Sequence, residues 1–598
     1  MHSEVTGFGR DHPLSHVPGH DAVVSSAAGR AHEFGVIYEG ERPAFPAVPV
    51  ATHGASMLAL QGIFAALLER ERTGAGQQVS TSLLRALSVF DLSGWAPGGS
   101  RALRTGDSPM LFYPEARTKD GVWLQFSQNG PRLYRALLRA LELEHLFDDD
   151  RFRTAPHVRD PDDARALRTI VMRRVEEHTW AEWRAVFDRE PDVSAEPFLR
   201  PGDALTHPQL VATGDARERD DAQLGRVREL GPLFSWTGAG RAPVPESSTS
   251  ERGALLQGVT VLELATWIAT PMSAAMLAEL GARVIKIEPH GGDPMRNTGP
   301  SGLKCVQGKE SITLDLKTDE GRAIVQQLAA NADVFLHNYR PGVPERLGID
   351  DATLRAANPG LVYVYAGSYG SVGPSAALPA FHVTVGAIIG GALAQQGRGP
   401  LPGADVELSD DELGWWSRRL MRSNESNPDF NAALTVAAAV TMGLFARART
   451  GRGQSIETRM TVANAYVMSE HFVDYDGRPP RLLPDDDVYG LTETYSLYRA
   501  ADGWCFVAAT DDEARAHLTD VLGSGRPADP EAAFATRTVE EWVQHLGAAG
   551  VTCVRVHEGT HADYVFESPW AASLGLVQES AATGLGPYAL RAGRAHRT

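Results

Sequence analysis

The 598-residue chain is short of positive charge, of cysteine and of long apolar runs. Its 57 lysines and arginines are outnumbered by 75 aspartates and glutamates, leaving a formal net charge of −18. A nucleic-acid binder or an anionic-membrane binder needs a net basic face, so neither partner is expected. Three cysteines (Cys305, Cys505 and Cys553) lie far apart with no Cys-x-x-Cys pair. That spacing excludes a disulfide framework and a zinc knuckle, and it suits a reducing cytoplasm. The opening MHSEVTGFGRDHPLSH lacks the apolar core of a secretory signal. The apolar stretches Val383–Ala394 and Val436–Ala446 fall short of the ~18 residues of a membrane span. Walker loops, His-Glu-x-x-His motifs and Gly-x-Ser-x-Gly elbows are absent too. What is present is an ordinary globular composition, 43% hydrophobic and 22% charged, with ample core material. The length corresponds to several domain-sized units, and the expected location is cytoplasmic.

The chain repeats itself. LLERERTGAGQQVSTSL (Leu67–Leu83) recurs as LFARARTGRGQSIETRM (Leu444–Met460), an offset of 377 from Thr73 to Thr450. Downstream, DGVWLQF at Asp120 pairs with DGWCFVA at Asp502, and HPQL at His207 pairs with SPWA at Ser568. ELGP ending at Pro232 pairs with GLGP ending at Pro587. Upstream, GFGRDHP at Gly7 pairs with SYGSVGP near Gly370 at an offset of 361, which sets Met1 opposite Val362. The first copy therefore lacks a counterpart of roughly Gly258–Leu361. The expected organisation is a front-truncated, non-catalytic first copy over 1–240, a linker at 241–255 and a complete, catalytic second copy over 256–598. The linker lies in the Pro/Ser/Gly-rich GAGRAPVPESSTSERG.

Local patterning in the second copy alternates strand and helix. VTVLELA (Val259–Ala265) and ARVIKIE (Ala282–Glu288) are short apolar runs suited to buried strands. Between them TPMSAAMLAELG (Thr270–Gly281) has helical spacing and ends on glycine. SITLDL, DEGRAIVQQLAANA and DVFLHNY repeat the rhythm, which implies a parallel sheet with crossover helices. Residues 120–237 and 502–598 read as smaller α+β segments. A dinucleotide site needs glycines where the backbone meets a pyrophosphate. The turn from Ala265 to Pro271 contains none, and the dinucleotide reading is set aside.

GVTVLELA, LAELGARVIKIEPHGGDPMR, GKESITLDLKTDEGR, ADVFLHNYRPGVPERLGID and NPGLVYVYAGSYGSVGP stand in this order, and RTGxGQ occurs in both copies. Together they resemble the class III CoA-transferase family (CaiB/BaiF type). The family takes in carnitine-CoA and formyl-CoA transferases and 2-methylacyl-CoA racemases. The resemblance implies an α/β fold, with a Rossmann-like parallel sheet in a large domain and a smaller α+β domain. Subunits of the family interlock as dimers, so the duplicated chain is expected to form an intramolecular pseudo-dimer or a homo-oligomer. It also implies a nucleophilic aspartate about twenty residues before the TG of the shared motif. Counting back 21 residues reaches Asp429 in the second copy and Thr52 in the first. A carboxylate can attack a thioester and pass through an anhydride and an enzyme thioester, whereas threonine lacks the charge for this. The alternative for Asp429, after Pro428, is a helix cap.

Contacts to coenzyme A are implied at Leu314, Lys317, Asn338, Tyr339 and Arg346, where cations suit the phosphates. The expected partners are an acyl-CoA and an acceptor carboxylic acid, with coenzyme A as part of the substrate, no tightly bound cofactor and no metal. Two alternatives accompany this reading: a 2-methylacyl-CoA racemase or acyl-CoA isomerase, and a non-catalytic acyl-CoA-binding protein. Racemase-like members carry Gly-His-Asp, with the histidine and the aspartate as an acid/base pair. The first copy has His20 in that motif but Thr52 opposite. The second has Asp429, with Phe381 at the histidine position and His382 one residue later. By this count neither copy holds the full pair.

Overall fold

Apolar runs long enough to be buried on both faces become the central strands of the second copy. In a computed structural model, residues 1–34, 42–91, 111–238, 253–298, 300–424, 428–522, 530–579 and 587–589 are described. Most of the linker expected at 241–255 lies outside the described residues. In chain order the strands that position the site are β1 (His2–Thr6), β2 (Gln78–Ser82), β3 (Phe234–Gly238), β4 (Thr260–Leu264) and β5 (Arg283–Glu288). They are followed by β6 (Lys309–Thr313), β7 (Val334–His337), β8 (Val362–Gly367) and β9 (Gln454–Arg459). The helices that matter are α1 (Asp21–Ala27), α2 (Val50–Thr73), α3 (Ala269–Glu279), α4 (His382–Ile389) and α5 (Pro428–Thr450).

Seven strands form one sheet in the order β6-β5-β4-β7-β8-β9-β3. The six strands of the second copy are parallel, as the strand–helix rhythm implies. The seventh, β3, comes from the first copy and runs antiparallel along β9, pairing Trp236 with Ile456. Among the described residues the first copy contributes the parallel pair β1–β2, with Val5 opposite Thr81. These two strands correspond to β8 and β9.

The copies interlock through small domains that reach across. A three-stranded antiparallel sheet of the first copy (Glu115–Arg117, Trp123–Phe126 and Ala195–Pro197) packs beside the segment leading from α4 to α5. There Trp123 Nε1 donates to Pro402 O at 3.1 Å, and the buried Glu115 carboxylate joins Arg168 at 2.6 Å and Ser417 at 2.9 Å. Reciprocally, the four-stranded sheet of the second copy (Gly490–Thr492, Tyr495–Ala500, Gly503–Ala508 and Thr552–Arg555) lies against the first copy, where Phe45 meets Phe506 at 6.1 Å.

The long helices α2 and α5 pack on each other, with Phe64 and Phe445 rings 5.7 Å apart. The sequence suggests apolar stretches too short for a membrane. The structure corrects this for α2 and for the helical run ending at Thr450, which are long and apolar enough by length and composition. Their most apolar windows are 61% and 78% buried inside the protein.

Candidate active site

In a parallel sheet the C-terminal ends of all strands meet one edge, where ligands of open α/β sheets bind. Residues that follow β4, β7 and β8 border a cleft of about 230 Å³ at that edge, which α4 and α5 close. Asp429 lies in it. Pro428 opens α5, which puts Asp429 in the first helical turn rather than at the cap. It is the one carboxylate among the described residues lining the cleft. Its side chain is 14% exposed, and burial pushes its carboxyl up to about 7. The helix N-terminus favours the anion, but desolvation is the larger effect.

His382 is the first residue of α4 and is buried. Its Nδ1 lies 3.4 Å from Asp429 Oδ2, and burial lowers the imidazole to about 4, so the ring is neutral near pH 7. The sequence count left the second copy without a histidine–aspartate pair, and the structure corrects it. At the start of a helix, a one-residue shift turns the side chain by about 100°, which here brings His382 rather than Phe381 to Asp429. In the first copy the chemistry is inverted. Asp21 occupies the position of His382 and accepts from the Thr52 N–H at 2.7 Å and from Ser25 Oγ at 3.2 Å. Burial raises its pKa, and Thr52 offers no carboxylate.

The five residues implied for coenzyme A divide. Asn338 and Tyr339 line the cleft. The Asn338 amide is committed to the backbone of Thr266, accepting from its N–H at 3.2 Å and donating to its carbonyl at 3.0 Å. It therefore fixes the β4–α3 turn. Leu314 is half-buried against the apolar cluster beneath the sheet. Lys317 and Arg346 are exposed beyond the ends of β6 and β7. They share the C-terminal edge with the cleft but do not line it.

Several cleft residues escaped the sequence reading. Tyr113 and Asn129 come from the first copy, and Asn129 Nδ2 donates to the Tyr113 hydroxyl at 2.8 Å. The Tyr113 ring meets His382 edge-on at 5.3 Å, so the second copy's site is walled partly by the first. Trp267, in the β4–α3 turn, has a left-handed backbone with φ of 70°, which is uncommon for a bulky residue.

A buried ion cluster holds that turn. Lys286 Nζ reaches Glu263 at 2.7 Å, Asp293 at 2.9 Å and the Ala265 carbonyl at 2.7 Å. Lys309 Nζ meets the other Glu263 oxygen at 2.5 Å and the Pro271 carbonyl at 2.6 Å. Asp293 then accepts from the Trp267 N–H at 3.3 Å. No signal for this cluster stood in the sequence, because Glu263 and Lys286 read as isolated charges inside apolar runs. Among the described residues no three His, Cys, Asp or Glu side chains converge as a metal site would require.

The arrangement offers a desolvated carboxylate with a neutral imidazole beside it, in a cleft at a ligand-binding sheet edge. Comparison with known proteins agrees in kind. The profile of CoA-transferase family III matches residues 2–247 and 256–595, once in each copy. A succinate–glutarate CoA-transferase of Agrobacterium fabrum is 30% identical over 293 residues, covering 46% of this chain and 68% of that protein. A succinyl-CoA–D-citramalate CoA-transferase of Chloroflexus aurantiacus is 31% identical over 298 residues, covering 47% and 68%. The human alpha-methylacyl-CoA racemase is 30% identical over 312 residues, covering 48% and 74%. The chain belongs to CoA-transferase family III, in two tandem segments.

Proposed function

We propose that the protein moves coenzyme A from an acyl-CoA thioester to a carboxylic acid, with Asp429 as nucleophile. The observation that carries this is Asp429 itself, a single carboxylate in the first turn of α5, inside the cleft and against His382. The ionised carboxylate attacks the thioester carbonyl, expelling coenzyme A thiolate and leaving a mixed aspartyl–acyl anhydride. The thiolate attacks the aspartyl carbonyl, releasing the donor acid and leaving an aspartyl–CoA thioester. The acceptor carboxylate then attacks that thioester, expelling coenzyme A thiolate and forming a second mixed anhydride; the thiolate attacks the acceptor carbonyl of this anhydride, giving the acceptor's acyl-CoA and regenerating the Asp429 carboxylate. His382, protonated on Nδ1, donates to the carboxylate and holds it in one orientation. Lys317 and Arg346 hold the phosphates of the nucleotide. The relatives are named for succinyl, glutarate, citramalate and methylacyl substrates, so kinship leaves the acyl group open.

The His382–Asp429 contact also raises a second reading, racemisation at the α-carbon of a thioester. That reaction needs acid and base on opposite faces of one carbon. At 3.4 Å the two groups touch each other and leave no space for a carbon between them, which favours transfer. The test is exchange of isotopically labelled acid into acyl-CoA, run in deuterium oxide. Transfer predicts label exchange without α-deuterium incorporation, and its loss in Asp429→Asn while acyl-CoA still binds. Near-normal exchange in that variant, or α-deuterium without label exchange, contradicts the proposal.

A further inference from the structure

The cleft beside Asp429 is walled by aromatic faces. Trp267 meets Phe381 edge-to-face at 5.9 Å, and Phe381 lies 6.4 Å from Tyr113, which itself meets His382. These rings form a continuous surface ending at the reacting carboxylate. Trp267 is not there by default, since its left-handed backbone is held by Asp293 and the buried lysines behind it. A strained residue kept in place by a buried ion cluster, with its ring in a ligand cleft, marks a position set for contact rather than for stability.

The same wall is poor in cations. Among the described lining residues Arg340 is the one permanently charged cation, and it faces Asp192 at 3.7 Å. A second carboxylate on the acyl group would leave water for a lining whose one permanent cation among the described residues is already shared with Asp192, beside the negative faces of aromatic rings.

We infer that the acyl group handled here is uncharged and carries an aryl or comparably flat apolar body, seated against the aromatic surface that Trp267, Phe381 and Tyr113 present to the cleft. This rests on the site being one for acyl-CoA thioesters, as proposed above, and adds which thioesters it accepts.

The test is binding, which requires no turnover and so fails or succeeds apart from the transfer mechanism. The full-length chain carrying Asp429→Asn, to prevent covalent steps, is titrated calorimetrically with 3-phenylpropanoyl-CoA and with succinyl-CoA. The aryl thioester is expected to bind at least about tenfold more tightly. An aromatic contact of the usual strength corresponds to a factor of about three to ten. Adding Trp267→Ala should therefore weaken the aryl thioester by about that factor and leave succinyl-CoA nearly unchanged, while Trp267→Phe retains most of the preference. Phe381→Leu is a second probe of the same surface, should the tryptophan variant fold poorly. Succinyl-CoA binding as tightly as the aryl thioester overturns the inference. So does an equal loss on both ligands in soluble Trp267→Ala and Phe381→Leu proteins.

Discussion

Replacing Asp429 with asparagine should stabilise the protein while abolishing CoA exchange, and the gain should depend on pH. Burial raises the carboxyl from the ordinary 3.8 to about 7 in the folded chain. Below pH 3.8 the group is protonated in folded and unfolded chains alike and costs nothing. Between 3.8 and about 7 the unfolded chain ionises it and the folded chain does not, so stability falls as pH rises through that window. Above about 7 the full cost is present. At about 1.36 kcal/mol per pH unit, the shift is worth up to about 4 kcal/mol. Asparagine keeps the shape and has no charge to desolvate, so its advantage should be near zero at pH 4 and full by pH 8. For a chain of this length the unfolding entropy of about 2.1 cal/mol/K per residue converts 4 kcal/mol into about 3 °C of Tm. Calorimetric scans of both proteins at pH 5 and pH 8, without ligand, read the difference directly. An Asp429→Asn protein no more stable than wild type at pH 8, or one equally stabilised at both pH values, would refute the claim that Asp429 is held desolvated for reaction.

The same shift predicts that kcat/KM for acyl-CoA rises about tenfold per pH unit below 7 and levels off above it; a profile flat from pH 5 to 8 contradicts an Asp429 nucleophile. Lys317→Ala or Arg346→Ala should raise KM for acyl-CoA by about tenfold to a hundredfold, and much less for a pantetheine thioester that lacks the nucleotide. Equal losses on both substrates would place these residues in folding instead. Glu263→Gln removes the charge shared by two buried lysines and should destabilise by about 3–5 kcal/mol in denaturant titrations. A neutral result would mean that the cluster does not hold the Trp267 turn.

The parallel sheet was legible because strands covered on both faces read as near-continuous apolar runs. VTVLEL, VIKI and VFLH therefore announce β4, β5 and β7, and the repeated RTGxGQ announces the duplication. Asp429 was reached by counting because the helix between it and that motif is unbroken. His382 stood one residue off the expected partner position, and a single-residue shift at the start of α4 decides which side chain faces the aspartate. Tyr113 was invisible for a different reason: it belongs to the other copy, and only the crossing of the small domains brings it to His382. Asn338 illustrates how residue type can mislead, since its amide ties down Thr266 instead of standing open to a ligand.

The most direct measurement is covalent trapping. Wild-type protein incubated with an acyl-CoA and quenched with hydroxylamine or borohydride should carry a single modification, mapped by mass spectrometry to the peptide containing Asp429, with no label near Thr52. Active protein that gives no adduct, or an adduct on any other residue, would contradict catalysis through Asp429.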